Sequence, residues 1–509
     1  MTPYITAWIA LFGWPLVAVA LYKKFSLPVA TAATLIGGYL LLPHGVEVDF
    51  PLLPPLNKNT IPATSALWLT WLACRDPRRT VGTLPGWLPR DKLALILMAM
   101  LVLGGLATAL TNLETARSGG AHLPGLRPYD GFSLALSAAV MLVPFILARK
   151  VMATLEGQRV LAVVLIICAV CYAALALWEV RMSPELNRKL YGFFPHSWLQ
   201  HWRNGGFRPI IFLSHGLVLG IFFASATVVA FGLAKTETKH RGRYYAAGVW
   251  LLVTIVFSKV LGSLLLVLAT LPVIMFTPRR IQVMVAVGLG MVVMTYPTLR
   301  NADVIPTDWA VELANRVSAE RAQSLEFRFK NEDLLLDRAD DKPMFGWGGF
   351  ARNRVFNENG NDIGVTDGYW VILFGTGGWT RYIGEFGLLL LGVFHLFFQR
   401  RDRIDPVTVA LALALVVNMI DLLPNAGISP LTWMITGALV GRNEVHARST
   451  EEEEVTPVTD DHRRDIRYAR DFGPPKSARG GVMAQRSTNG TPHRSARTPP
   501  PRSKGPLHG

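Results

Sequence analysis

Runs of about 15 to 22 apolar residues recur along the chain, each closed off by a charge or a proline. At 1.5 Å of helical rise per residue, such runs match the roughly 30 Å hydrocarbon core of a bilayer. They lack the apolar stripe at i, i+3, i+4 that marks a soluble helix. The pattern therefore predicts an all-α polytopic membrane protein of about 12–13 transmembrane helices. The spans fall at roughly 4–22, 26–43, 61–74, 92–112, 131–148, 159–179, 209–233, 244–258, 260–276, 281–297, 382–399, 406–423 and 428–441. The start, "MTPYITAW", lacks a basic region and runs straight into the first span, so it does not read as a cleavable signal.

Polar positions between the runs set the orientation. Lys and Arg gather at Lys23–Lys24, Arg75 with Arg78 and Arg79, Arg149–Lys150, Lys235 to Arg243, Arg279–Arg280 and Arg400 to Arg403. These groups alternate along the chain, and the positive-inside rule places them in the cytoplasm. The N-terminus is then outside and the C-terminus cytoplasmic. The longer connections, about 44–60, 113–130, 180–208 and 298–381, all face outward. Within the last of these, Val311 to Leu336 reads as a helix or a helix pair.

Composition agrees. The chain is 51% hydrophobic and 17% charged, with a mean hydropathy of +0.31. Its net charge of +15 is spread over the cytoplasmic loops and the C-terminal stretch, which argues for topology and not for nucleic-acid binding. Residues 1–441 form the polytopic domain. From Arg442 the sequence turns acidic, then basic and proline-rich, with few aliphatics, so 442–509 read as a disordered cytoplasmic tail. Cys74, Cys168 and Cys171 lie within apolar runs, and a Cys-x-x-Cys spacing without polar company reads as packing, not redox or metal chemistry. No phosphate-binding loop, dinucleotide fingerprint, metalloprotease helix or metal-ligand spacing occurs, so no cofactor is expected.

Charges beside the bilayer are costly and become functional candidates. In "NGGFRPIIFLSHGLVLG", Arg208 stands at the mouth of the seventh span, with Pro209 opening the helix. His215 then lies two turns further on nearly the same face. The pair reads either as a headgroup anchor or as an anion site. Lys259, in "IVFSKVLGSLL", is either a snorkelling lysine in a hairpin or a further cation for that site. Arg321 and Arg328 are seven residues apart, hence on one helix face. The stretch "DDKPMFGWGGF" sets a glycine turn against Phe345, Trp347 and Phe350, with Trp347 a candidate sugar platform. In "GVTDGYW", Asp367 is the best-placed carboxylate for proton abstraction, with apolar neighbours expected to raise its pKa toward neutrality. Glu385, at the outer start of the eleventh span, is the alternative.

These residues carry a resemblance. A long outward loop with "DDKPMFGWGG", a polar pair, then "GEFGLLLLGVF", resembles the O-antigen ligase and polymerase superfamily. "FRPIIFLSHG" looks like that family's arginine motif, and "FSKVLGSLL" is similar to its Ser-Arg-Gly helix start. The likeness covers about 200–440 and lies in the order and spacing of motifs. It implies metal-independent transfer of a glycan from undecaprenyl pyrophosphate to an acceptor hydroxyl, on a lipid or a saccharide, in surface polysaccharide assembly. Arg208, Arg321 and Arg328 would hold the diphosphate, Lys259 would assist, and Asp367 would be the base. One departure stands out: many family ligases carry a His-Asn pair where this chain has "TDGYW". The rival readings are a transporter or flippase for lipid-linked sugars, and a non-catalytic scaffold of a polysaccharide export complex.

Overall fold

The apolar runs fold as helices because nothing else satisfies a backbone without water. The computed structural model describes residues 3–455, apart from 119–120, 196–197, 204, 350 and 401–402. Helices α1 (Ile5–Lys24), α2 (Leu27–Leu41) and α3 (Thr60–Ala73) are followed by α4 (Lys92–Leu110). The short strands β1 (Ala116–Ser118) and β2 (Ala121–Leu123) precede α5 (Pro128–Met141), α6 (Val143–Val151), α7 (Leu155–Met182) and the short α8 (Leu186–Tyr191). A second hairpin, β3 (Trp202–Arg203) with β4 (Gly206–Phe207), leads into α9 (Gly216–Thr236). Then come α10 (Arg241–Phe257), α11 (Leu261–Phe276), α12 (Arg279–Asn301), α13 (Thr307–Val317) and α14 (Ala319–Asp340). The chain closes with α15 (Tyr369–Phe398), α16 (Pro406–Asp421) and α17 (Pro430–Val455).

Every expected span coincides with a helix, and the fifth is covered by α5 and α6 together. Among the described residues, seven helices are long and apolar enough to cross a membrane: α1, α4, α5 with α6, α7, α9, α12 and α15. Shorter apolar helices are α2, α11 and α16. The helix pair expected near 311–336 is present as α13 and α14. Of the seven long apolar helices, α9 is the most deeply enclosed, buried along most of its length against α7, α10, α11 and α16.

The basic groups meet at one end of the bundle. Arg79 donates to the last turn of α1 at Tyr22, Lys235 at the end of α9 to carbonyls ending α11, and Arg280 to Phe397 at the end of α15. At this end Arg149, fully buried on α6, pairs with Glu444 at 2.5 Å and also reaches the Gly86 carbonyl. Gly437 and Gly441 make the pairing possible, since a Cβ at either would meet α6 backbone at Phe145 or Arg149 within 2.1–2.7 Å. Arg442 pairs with Asp405 at 2.7 Å. The boundary expected at 442 therefore falls inside α17, held there by ion pairs that composition does not reveal. The rest of the expected tail, 456–509, lies outside the described residues.

The opposite end carries α13, α14 and a turn that enters another helix. Helix α15 is interrupted at Gly378, whose φ of 60° and ψ of −162° only glycine adopts readily. The turn at 343–348 fills the break. Trp347 and Gly348 N–H donate to the Gly375 and Thr376 carbonyls, and Trp379 and Thr380 N–H donate to those of Pro343 and Met344. Thr108 and Asn112, at the end of α4, bind the Phe345 and Gly346 carbonyls from the other side. Arg352, 1% exposed, ties the same turn to the carbonyls of Glu114, Pro124 and Trp347. The helix that covers the eleventh expected span therefore starts at Tyr369, not 382, and its glycines form a repaired break.

A Cβ at residue 378 would lie 2.3 Å from the Pro343 carbonyl. Gly378→Ala is expected to cost at least about 1–3 kcal/mol, from backbone conformation alone. It should lower the thermal unfolding midpoint of the purified protein clearly below wild type; an unchanged midpoint would show that the break is tolerant of a side chain.

Candidate functional site

The loop from Arg208 to His215 is not the start of a helix. Pro209 does not open α9, because the N–H groups of Ile210 and Ile211 are captured by Glu179 Oε2 at 2.9 and 2.8 Å. Glu179 projects, fully buried, from the last turn of α7. Phe212 is held twice more: its N–H donates to the Tyr172 hydroxyl at 3.2 Å, and its carbonyl accepts from Lys58 Nζ at 2.8 Å. Ile211 sits at φ 55°, a conformation that costs a β-branched residue of order 1–3 kcal/mol. Three side chains, Glu179 and Tyr172 from α7 and Lys58 from the loop before α3, keep it there.

The loop delivers two candidates. Arg208 lays its stem over Gly216, the first residue of α9, where a Cβ would come within 2.4 Å of Arg208 Cγ and Cδ. Its head is thus carried at the positive end of a helix dipole. His215, expected two turns deeper, instead caps α9: the Leu217 N–H donates to its Nδ1 at 3.1 Å. Its ring lies 5.2 Å from that of buried His201, whose carbonyl accepts from the Arg208 N–H. Lys259 lies in the turn between α10 and α11 at φ 56°, with its Nζ 2.5 Å from where a Cβ on Gly206 would stand. Hairpin β3–β4 thus sets Lys259 two residues from Arg208.

The second group is joined through the 422–428 connection. Gly427 packs on Val218 in the first turn of α9. Arg328 Nη1 donates to the Pro424 carbonyl at 3.1 Å, and its Nε lies 3.6 Å from Asp367 Oδ2. Asp367 does not meet the apolar wall expected for it. Its neighbour is a guanidinium, and its side chain is 37% exposed. Two residues on, the Tyr369 N–H donates to the Leu422 and Asn425 carbonyls. Arg321 lies in the first turn of α14, two turns before Arg328, and its side chain is outside the described residues.

Two expected candidates move away from this surface. Glu385 is not at the start of a span but midway along α15, fully buried, accepting from the Tyr369 hydroxyl and facing Arg381 at 3.6 Å. Trp347 is 9% exposed, its Nε1 donates to the Arg338 carbonyl, and the Arg338 guanidinium lies 3.3 Å from its ring centroid. A ring so covered offers no platform to a sugar; it anchors the turn instead. Phe350 lies outside the described residues. Exposed aromatics occur elsewhere: Trp198 and Trp202, 43% and 51% exposed, flank Phe207 with ring centroids 5.2 and 4.8 Å away.

Sequence reading missed Glu179, Tyr172 and Lys58, because each acts on backbone far from it in sequence. It also passed over Arg381. Helix α14 is set in place by a buried cluster: Glu332 accepts from Trp370 Nε1 and Tyr296 and faces Arg300 at 3.6 Å, while Arg300 pairs with Asp333 at 2.5 Å. Burial pushes the Glu332 carboxyl up to about 6. Among the described residues no three His, Cys, Asp or Glu side chains gather as metal ligands. Neither a family model, a curated protein nor a solved structure matches the chain.

Burial also pushes the Lys58 amine down from its ordinary 10.5 to about 7. Between those values the unfolded chain binds a proton that the folded chain does not, so stability rises with pH across that window and levels off below it. Lys58→Met should flatten that rise. Unfolding midpoints measured across the window for both proteins test it; identical pH dependence would mean that Lys58 keeps its proton when folded.

Proposed function

We propose that this chain is a membrane glycosyltransferase of the O-antigen ligase or polymerase type. It would move a glycan from undecaprenyl pyrophosphate to a lipid or saccharide acceptor, at the periplasmic face of a bacterial inner membrane. The observation that carries the reading is a pair of charged groups, Arg208 with Lys259 and Arg328 with Asp367, linked through the 422–428 connection, whose Gly427 packs on the first turn of α9. Three cations suit a diphosphate, and arginine forks bind its oxygens two at a time. A helix N-terminus beneath Arg208 adds to that field.

In this reading the diphosphate lies between the Arg208–Lys259 and Arg328 groups. Arg328 then has two jobs, holding phosphate oxygens and orienting Asp367. The Asp367 carboxylate takes the proton as the acceptor hydroxyl attacks the anomeric carbon; the carrier diphosphate leaves with the glycosidic electron pair, stabilised by the cations. Trp198 and Trp202, which flank Phe207 beside the Gly206 that Lys259 reaches, take over the sugar-platform role first assigned to Trp347. Glu385 drops out of substrate contact and acts through Tyr369. The end bearing α13 and α14 is periplasmic, the basic end is cytoplasmic, and the helices α2, α3, α10, α11, α16 and α17 join the seven long apolar ones as spans, giving thirteen.

One observation favours the transporter reading: Arg381 and Glu385 are charges inside a span, as transporters often have. A transfer assay separates the two.

In a reconstituted assay with a lipid-diphosphate glycan donor, Arg208→Lys and Arg328→Lys should each slow transfer roughly ten- to a hundredfold, the loss of one charge-assisted hydrogen bond in the transition state. Asp367→Asn should lower turnover while donor binding stays near wild type, and a chelator should have no effect. Wild-type rates in all three variants would sink the assignment. Reporter fusions after Arg280 and Arg442 should report cytoplasm and one near Asn331 periplasm; the reverse result would invert the topology and detach the site from its substrate.

A further inference from the structure

We propose that the cavity between α4, α5 and the break in α15 holds the phosphoryl group of a membrane lipid, gripped by Arg381. The cavity has a volume of about 160 Å³, far more than a single water needs. Its lining is apolar or small, with Leu101, Leu134 and Met141 facing Gly104, Gly105 and Gly349. Arg381 is the charged residue on that lining.

A guanidinium in such a place needs a partner. Inside the protein it pairs with Glu385 and neighbours the Tyr369 and Thr376 hydroxyls, which leaves part of its five-donor fork for a further acceptor. Its Nη1 donates to Thr376 Oγ1 at 3.3 Å, and its Nε stands 3.6 Å from Glu385 Oε2, too far for a hydrogen bond. Glu385 spends its other oxygen on the Tyr369 hydroxyl. The Arg381 side chain is 38% exposed while Glu385 is fully buried, so the cation and not the carboxylate faces the open space. Its stem is fixed against Gly377, where a Cβ would lie 2.4 Å from Arg381 Cβ. A fixed fork of N–H donors matches phosphate oxygens two at a time.

The surroundings choose the source of that phosphate. The cavity lies between two helices whose other faces are exposed and apolar, with Ile96 and Leu103 on α4 and Phe132 on α5 each more than half exposed. Those faces meet acyl chains, and the apolar lining accepts the glycerol stem of a lipid where a hydrated free phosphate would lose its water without return. The site is separate from the Arg208–Arg328 surface and does not depend on the reading given to it.

The test is thermal unfolding of the protein in a maltoside detergent, with added phosphatidylglycerol or, at equal concentration, inorganic phosphate. Native mass spectrometry reads the retained lipid. Phosphatidylglycerol should stabilise wild type and remain bound, with inorganic phosphate inactive. Arg381→Gln should weaken lipid binding about tenfold or more. Ser137→Leu, which fills the cavity from α5 and leaves Arg381 in place, should weaken it likewise, and Arg381→Lys should retain part. Equal lipid binding in wild type, Arg381→Gln and Ser137→Leu would overturn the proposal, as would equal stabilisation by inorganic phosphate, which would make this a simple anion site.

Discussion

The architecture turns on four backbone hydrogen bonds between the break in α15 and the turn at 343–348. A helix interrupted inside a bilayer strands N–H and C=O groups that no water can reach, at several kcal/mol each. Here a second piece of chain supplies both donors and acceptors, reciprocally, so neither the turn nor the break is stable without the other. Only glycine could sit at 346 and 378, because backbone occupies the place of any Cβ. The aromatic and arginine contacts around the turn, Trp347 under Arg338 and Arg352 across three carbonyls, then hold it in register. The segment that looked out of place among membrane helices is thus a structural plug that joins α4 to the two halves of α15.

The same logic recurs at the other candidate loop on different chemistry. At 210–212 a buried carboxylate, a tyrosine hydroxyl and a buried ammonium each take a backbone group that a helix would have used. The result is a loop carrying positive-φ strain at Ile211 with no freedom to relax it. Strain held by so many partners is found where a side chain must be presented in one orientation, and the side chain presented here is Arg208.

Much of the fold was legible in the sequence because span length and the distribution of Lys and Arg are statements about the bilayer itself. Each apolar run became a helix, and α13 with α14 followed from their charged, periodic pattern. The errors share one cause. Pro209 was read from its local sequence as opening a helix, whereas Glu179, distant in sequence, decides what happens there. Arg442 was read as the start of a tail because composition changes at that point; Asp405 and Glu444 with Arg149 keep the helix going. For the site, residue types were readable but environments were not. Trp347 and Glu385 were chosen for their chemistry, and burial removes both from any exposed surface. Asp367 was chosen for apolar neighbours and has an arginine instead.

The pairing of Arg149 with Glu444 joins residues 295 positions apart. At common synthesis rates the ribosome needs roughly 15–60 s to cover that distance. Throughout that interval α6 has been made but its buried cation lacks its carboxylate, and α17, whose glycines allow the close approach, does not yet exist. The first half of the bundle is therefore an unfinished object that advertises its incompleteness with a charge. That charge is matched only once α17 is made, so this contact between α6 and α17 forms late in synthesis.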